Sequence, residues 1–126
     1  MLPFPVTIGP GRPASEQVVA AVHRALATGR LSPGDEFPSV RKLSLGAGIN
    51  PNTAHKIVAA LVAEGLLEVH PGLGTRVSAR TGAGTGDRQK QLTPSIAELV
   101  ILAKRLGGSP DELDRLMRSE WKKLEH

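Results

Sequence analysis

A mainly α fold with one small β-hairpin, followed by two further helices, is what this 126-residue sequence predicts. Three observations carry that expectation. Apolar residues recur at helical spacing in stretches bounded by capping or breaking residues. Extended patterning around Leu66–His70 and Thr75–Ser78 flanks a Pro-Gly turn. A glycine-rich run, Arg80-Thr-Gly-Ala-Gly-Thr-Gly86, contains no large apolar residue and separates these elements from the last two helices.

The first helix is expected from Ser15 to about Thr28, with Ser15 as cap, Val18, Val22, Ala25 and Leu26 on one face, and Gly29 as terminator. Ser32-Pro-Gly-Asp35 is a turn, and Glu36-Phe37 a very short extended piece. Ser39 caps a second helix, Val40 to about Leu45, which Gly46-Ala-Gly48 breaks. Asn50 caps the third, with Pro51 at the first helical position, where its missing N–H costs nothing. That helix runs to about Ala63, and Gly65 ends it. The hairpin follows. Beyond the run of glycines, Leu92–Leu106 and Pro110–Leu124 read as two amphipathic helices, the second capped by Ser109. The domain plan is a head over residues 8–80, a linker over 81–91 and a tail over 92–126. Leu124-Glu125-His126 resembles the start of a Leu-Glu-polyhistidine tag, so residues 125–126 are assigned no role.

Composition narrows the function. Forty per cent of residues are hydrophobic and 22% charged, which is globular rather than disordered. No Cys occurs, which excludes disulfides, thiolate metal sites and a Cys nucleophile. Met1–Pro10 lacks the features of a signal peptide, and no apolar run approaches the ~20 residues of a membrane span. The expected location is cytoplasmic, with no membrane partner. The net charge is +4. Residues 1–80 hold eight basic and five acidic residues, residues 81–126 eight and seven. A polyanion fits the head, and three aromatics, Phe4, Phe37 and Trp121, are too few for recognition of single strands by base stacking.

Helix, short helix, tight turn, helix, hairpin is the order of a winged helix-turn-helix. In that unit the third helix turns one face to the core and one to the major groove. Ala54, Ile57, Val58, Leu61 and Val62 supply the apolar stripe. Asn52, His55, Lys56 and Ala59 lie opposite, at offsets of three, four and seven. No Asp or Glu occurs from Phe37 through Ala63, while Arg41, Lys42, His55 and Lys56 do, which suits a surface that meets phosphates.

Three segments, in order and at the expected spacing, resemble the DNA-binding domain of the GntR family of bacterial transcriptional regulators. They are Arg30-Leu-Ser-Pro-Gly-Asp-Glu-Phe-Pro-Ser-Val-Arg-Lys-Leu43, Ile49-Asn-Pro-Asn-Thr53 and Glu64-Gly-Leu-Leu-Glu-Val-His-Pro-Gly-Leu-Gly-Thr-Arg-Val77. The match spans about residues 14–78. The short tail, with Asn-Pro-Asn-Thr opening the third helix, looks like the YtrA subfamily. That resemblance implies a homodimer, joined through the two C-terminal helices, on a double-stranded operator. Arg41 would be the main DNA-contacting arginine, and Lys42 lies beside it. Asn52 and His55 would select bases, and Lys56 would hold phosphate. Ser39, Asn50 and Thr53 would bond phosphates or cap helices. In the wing, His70, Gly72 and Gly74 would approach the backbone or minor groove. Arg76 is the wing's one cation, a DNA contact or a solvated residue. Many relatives carry Arg or Lys where this chain has Ala54-His55. An imidazole in place of a permanent cation weakens phosphate attraction near neutral pH.

In the tail, Leu92, Ile96, Leu99, Val100, Leu102, Ala103 and Leu106 form one apolar surface, and Leu113, Leu116, Met117, Trp121 and Leu124 another. A self-complementary two-fold dimer covers both economically and places two third helices about one DNA turn (~34 Å) or a multiple apart on a palindromic site. Repression is the expected outcome. The chief rival is an antitoxin-like or protein-interaction module whose tail binds a different chain. An enzyme is disfavoured: Gly82-Ala-Gly-Thr-Gly86 lacks a P-loop Lys, and Ser39-Val-Arg-Lys42 matches Ser-x-x-Lys without partner motifs. His23, His55, His70 and His126 show no metal-ligand spacing. No catalytic residue, metal or cofactor is expected, and no polar cluster announces a small-molecule effector.

Overall fold

The chain folds as two units, residues 1–81 and 82–126, in a computed structural model that describes residues 2–79 and 85–125. The first unit contains α1 (Ala14–Thr28), α2 (Val40–Ala47), α3 (Pro51–Ala63), β1 (Leu67–His70) and β2 (Gly74–Val77). The second contains α4 (Thr85–Arg105) and α5 (Pro110–Lys123). This is the mainly helical winged architecture that the sequence predicts.

Helix α1 buries Val18, Val22 and Ala25, and Gly29 ends it. Its start differs from expectation: Pro13 is the flanking residue, and Ser15 lies inside the first turn. The Gln17 backbone N–H already bonds the Pro13 carbonyl at 3.2 Å, which starts the helix two residues earlier than a Ser15 cap would. Helix α2 is capped by Ser39, whose hydroxyl accepts from the Lys42 N–H at 3.2 Å. It runs through Gly46 and Ala47 and stops at Gly48, whose φ of 68° is left-handed and closed to most side chains. Helix α3 keeps its expected bounds. Asn50 Oδ1 accepts from the Asn52 N–H at 2.8 Å, and Pro51 occupies the first turn.

The turn between α2 and α3 is clamped by Ser44. Its hydroxyl donates to the Ile49 carbonyl at 2.6 Å, and the Ile49 N–H returns a bond to the Ser44 carbonyl at 3.0 Å. Ser44 is buried, so this pairing removes an orphaned hydroxyl from the core. Strands β1 and β2 are antiparallel, with Leu67 opposite Val77, Glu68 opposite Arg76, Val69 opposite Thr75 and His70 opposite Gly74. The expected extended piece at Glu36-Phe37 pairs with β2. Gly34 N–H donates to Val77 O at 2.9 Å, Val77 N–H to Asp35 O at 2.8 Å, and Phe37 N–H to Thr75 O at 2.8 Å. The wing is thereby bonded to the backbone that leads into α2.

The core joins all of these elements: Val18 and Val22 of α1, Leu43 of α2, Ile57 and Leu61 of α3, and Leu67 and Val77 of the wing. It also contains Phe4, only 3% exposed, whose ring stacks on Phe37 with centroids 5.9 Å apart. The expected head boundary at residue 8 therefore falls too late. Phe4 lies in a Pro-rich stretch without periodicity, and its burial comes from tertiary packing.

In the second unit α4 begins at Thr85, not Leu92, so residues 85–91 of the expected linker are helical. Asp87 sits in the positive first turn, and Arg88-Gln-Lys-Gln91 favour helix without any apolar signal. Residues 81–84 of the expected linker lie outside the described residues. Pro94 lies inside α4. The Thr93 hydroxyl donates to the Gln89 carbonyl at 2.6 Å one turn before it. Ser109 caps α5 by accepting from Glu112 N–H at 3.2 Å, with Asp111 and Glu112 at the positive end and Lys122 and Lys123 at the negative end. Among the described residues no helix is long and apolar enough to cross a membrane.

Candidate nucleic-acid interface

The short helix, turn and third helix place the expected contact residues on one unit. In α2, Arg41 and Lys42 are exposed, while Leu43 and Ser44 behind them are buried. In α3, Ala54, Ile57 and Leu61 are buried, and Val58 and Val62 pack partly against them. The 3.6-residue period then leaves Asn52, His55, Lys56 and Ala59 exposed on the other side. Thr53 is half-buried at the margin. Ser39 and Asn50 are exposed, and each uses its side-chain oxygen to cap a helix.

The wing is less uniform. Gly72 and Gly74 are exposed at φ of 79° and 88°, and a Cβ on either would meet no atom within 4 Å. Backbone can approach a partner closely there. Leu73, 64% exposed, stands between them at the tip. His70 is half-buried, and its Nε2 lies 3.2 Å from Glu68 Oε2. Glu68 Oε1 also accepts from the Ser78 hydroxyl at 3.0 Å. Sequence reasoning missed Glu68 as the partner of His70, because their contact depends on strand alternation and not on any motif. Arg76 is half-buried, and its Nη1 donates to the Gly34 carbonyl at 3.3 Å. Of the two readings open for Arg76, this bond gives it a structural task.

Glu64, which caps the C-terminal end of α3, is also engaged. Glu64 Oε2 lies 3.4 Å from His23 Nε2 of α1. Among the described residues no group of His, Asp or Glu is placed to hold a metal ion. Helix α3 itself carries no carboxylate, and its exposed cation, amide and small Ala suit phosphates and base edges, although Glu16 of α1 lines the same groove as Thr53 and Lys56.

Residues 14–77 match the family described as bacterial regulatory proteins, gntR family. The chain belongs to the gntR family. Its head is accordingly a DNA-binding module of transcription regulation. The similarity extends past the head: the chain is 34% identical over 111 residues to the HTH-type transcriptional repressor YtrA of Bacillus subtilis, covering 86% of this chain and 81% of that one. A transcriptional regulator from Oenococcus oeni is 27% identical, with a TM-score of 0.66 over 90% of this chain and 95% of that one. The AraR DNA-binding domain in complex with operator ORX1 is 27% identical, with a TM-score of 0.52 over 58% of this chain and 93% of that one. The first two of these are named as a transcriptional repressor and a transcriptional regulator.

The second unit presents the residues expected to dimerise. Leu92, Ile96, Leu99, Val100, Leu102 and Leu106 are all exposed, and Ala103 is half-buried. In α5, Leu116, Met117 and Trp121 are exposed, Trp121 at 71%, and Leu113 is half-buried. No residue of α5 is buried.

Proposed function

We propose that this gntR-family chain is a sequence-specific, double-stranded DNA-binding repressor that acts as a homodimer on a palindromic operator. The observation that carries the reading is α3: its exposed Asn52, His55, Lys56 and Ala59 flank lies within a stretch free of Asp and Glu, with Arg41 and Lys42 exposed on the preceding helix. Arg41 makes a bidentate contact to guanine or grips phosphate, Asn52 and His55 select bases, and Lys56 holds the backbone. Gly72 and Gly74 bring the wing backbone to the duplex. The repressor role is supported by the similarity to YtrA, and operator binding by the similarity to the AraR domain.

The tail supports self-association. Leu92, Ile96, Leu99 and Ala103 follow spacings of four, three and four along α4, the spacing of a helix–helix seam. A face so apolar and so exposed is an interface awaiting a partner, and a second copy supplies one by symmetry.

Selection of bound duplexes from a random pool, followed by sequencing, tests the reading. Palindromic enrichment supports it. Absence of enrichment over bulk DNA overturns it. Light scattering of the purified protein, alone and co-expressed with a neighbouring gene product, distinguishes a homodimer from a tail that binds a different chain.

A further inference from the structure

We propose that the N-terminal segment Leu2–Phe4 is a positioning arm for α2, holding Arg41 and Lys42 in the attitude that specific DNA binding requires. The inference rests on the DNA-binding reading above and adds residues that lie outside the expected contact surface.

The geometry is a two-point clasp. Phe4 is buried and stacks on Phe37, two residues before the Ser39 cap of α2. Leu2 lies over Gly46 in the last turn of the same helix. A Cβ built on Gly46 would stand 2.5 Å from Leu2 Cγ and 2.8 Å from Cδ2, so a methyl there displaces the Leu2 side chain from its present seat. The arm thus touches Phe37 in the segment that leads into α2 and Gly46 in the helix's last turn, with Arg41 and Lys42 between the two contacts in the chain. Residues beyond the arm are anchored in turn. The Gln17 side chain accepts from Gly9 N–H at 2.8 Å and donates to the carbonyls of Gly9 at 2.8 Å and Arg12 at 2.9 Å.

Helix α2 needs such support. It has eight residues and buries only Leu43 and Ser44. A helix of two turns has little stability of its own, and its orientation follows from what packs on it. A shift of its N-terminal end moves Arg41 relative to α3 and the wing. Bidentate base contacts tolerate such a shift poorly, whereas general attraction to phosphates tolerates it well.

The test uses the full chain at a temperature where circular dichroism shows every variant folded. Affinity for a selected duplex and for a scrambled one is measured for Leu2→Ala, Phe4→Leu, Gly46→Ala and the Leu2→Ala/Gly46→Ala pair. Gly46→Ala is expected to lower the selected-over-scrambled ratio by about tenfold, with scrambled binding nearly unchanged. The pair is expected to exceed Gly46→Ala without reaching wild type, because the new methyl fills the space the shortened side chain vacates while the leucine's grip is lost. Phe4→Leu keeps an apolar plug and is expected to fall between wild type and Gly46→Ala. Hydrogen exchange supplies a readout independent of DNA: amides of residues 40–47 are expected to exchange about tenfold faster in Leu2→Ala, with α1 and α3 unaffected. Unchanged exchange across α2, or a double variant no better than Gly46→Ala, overturns the arm. A wild-type protein without preference for any duplex, yet with the exchange effect present, overturns the DNA-binding reading and leaves the clasp standing.

Discussion

The guanidinium of Arg76 is bonded to the carbonyl of Gly34, with Nη1 donating across 3.3 Å. That bond reinforces three backbone hydrogen bonds between residues 34–37 and β2. The wing and the segment that leads into α2 are therefore parts of one hydrogen-bonded frame.

Arg41 and Arg76 should consequently behave differently on truncation. Arg41→Ala is expected to weaken operator binding by about 1–3 kcal/mol without loss of thermal stability. Arg76→Ala is expected to lower the melting temperature and to weaken binding less. Anisotropy titrations and thermal melts on both variants check this, and equal losses of affinity would return Arg76 to the contact surface.

Asn50 allows capping and charge to be separated. Asn50→Ala is expected to destabilise the fold by ~0.5–2 kcal/mol, because the Asn52 N–H loses its acceptor. Asn50→Asp keeps an acceptor of equal capping strength, so stability should hold. It also places a carboxylate in the acid-free stretch, so DNA affinity should fall. A denaturation curve and a binding curve on each variant separate the two effects.

Lys42 and Lys56 are exposed cations of the proposed contact surface, where a lysine acts by attraction to phosphate. Replacing either with Ala should weaken binding uniformly across sequences and reduce the slope of log affinity against log salt by about 1. Titrations at several salt concentrations measure the slope, and an unchanged slope removes that lysine from the phosphate contacts.

In the tail, joint replacement of Leu99 and Leu102 by Gln is expected to yield monomers. These side chains are 48% and 41% exposed in the single chain, so their loss costs the isolated protomer little. Light scattering reads the mass directly, and persistent dimers would place the interface elsewhere.

Local chemistry made much of this fold legible in advance. Asn50-Pro51 announces the start of α3, and the stripe from Ala54 to Val62 separates its two faces, because caps and helical period are sequence-local. Phe4 was not legible, because its burial depends on Phe37 folding back beneath it. Gly46 looked like a helix breaker because a glycine's use as a seat for Leu2 is visible only in three dimensions. The early start of α4 escaped because its first two turns are wholly polar. For the contact surface, exposure of Arg41, Asn52 and His55 follows from the pattern, whereas the tie of Arg76 to Gly34 comes from tertiary pairing and that of His70 to Glu68 from alternation along β1.

The chain's single tryptophan, Trp121, stands 71% exposed in the second unit. Its emission is therefore a native optical gauge for that unit. A shift to shorter wavelength on raising protein concentration reports the indole leaving water, with no dye attached. Melting of the DNA-reading unit, which holds no indole, is silent in the same channel and needs circular dichroism.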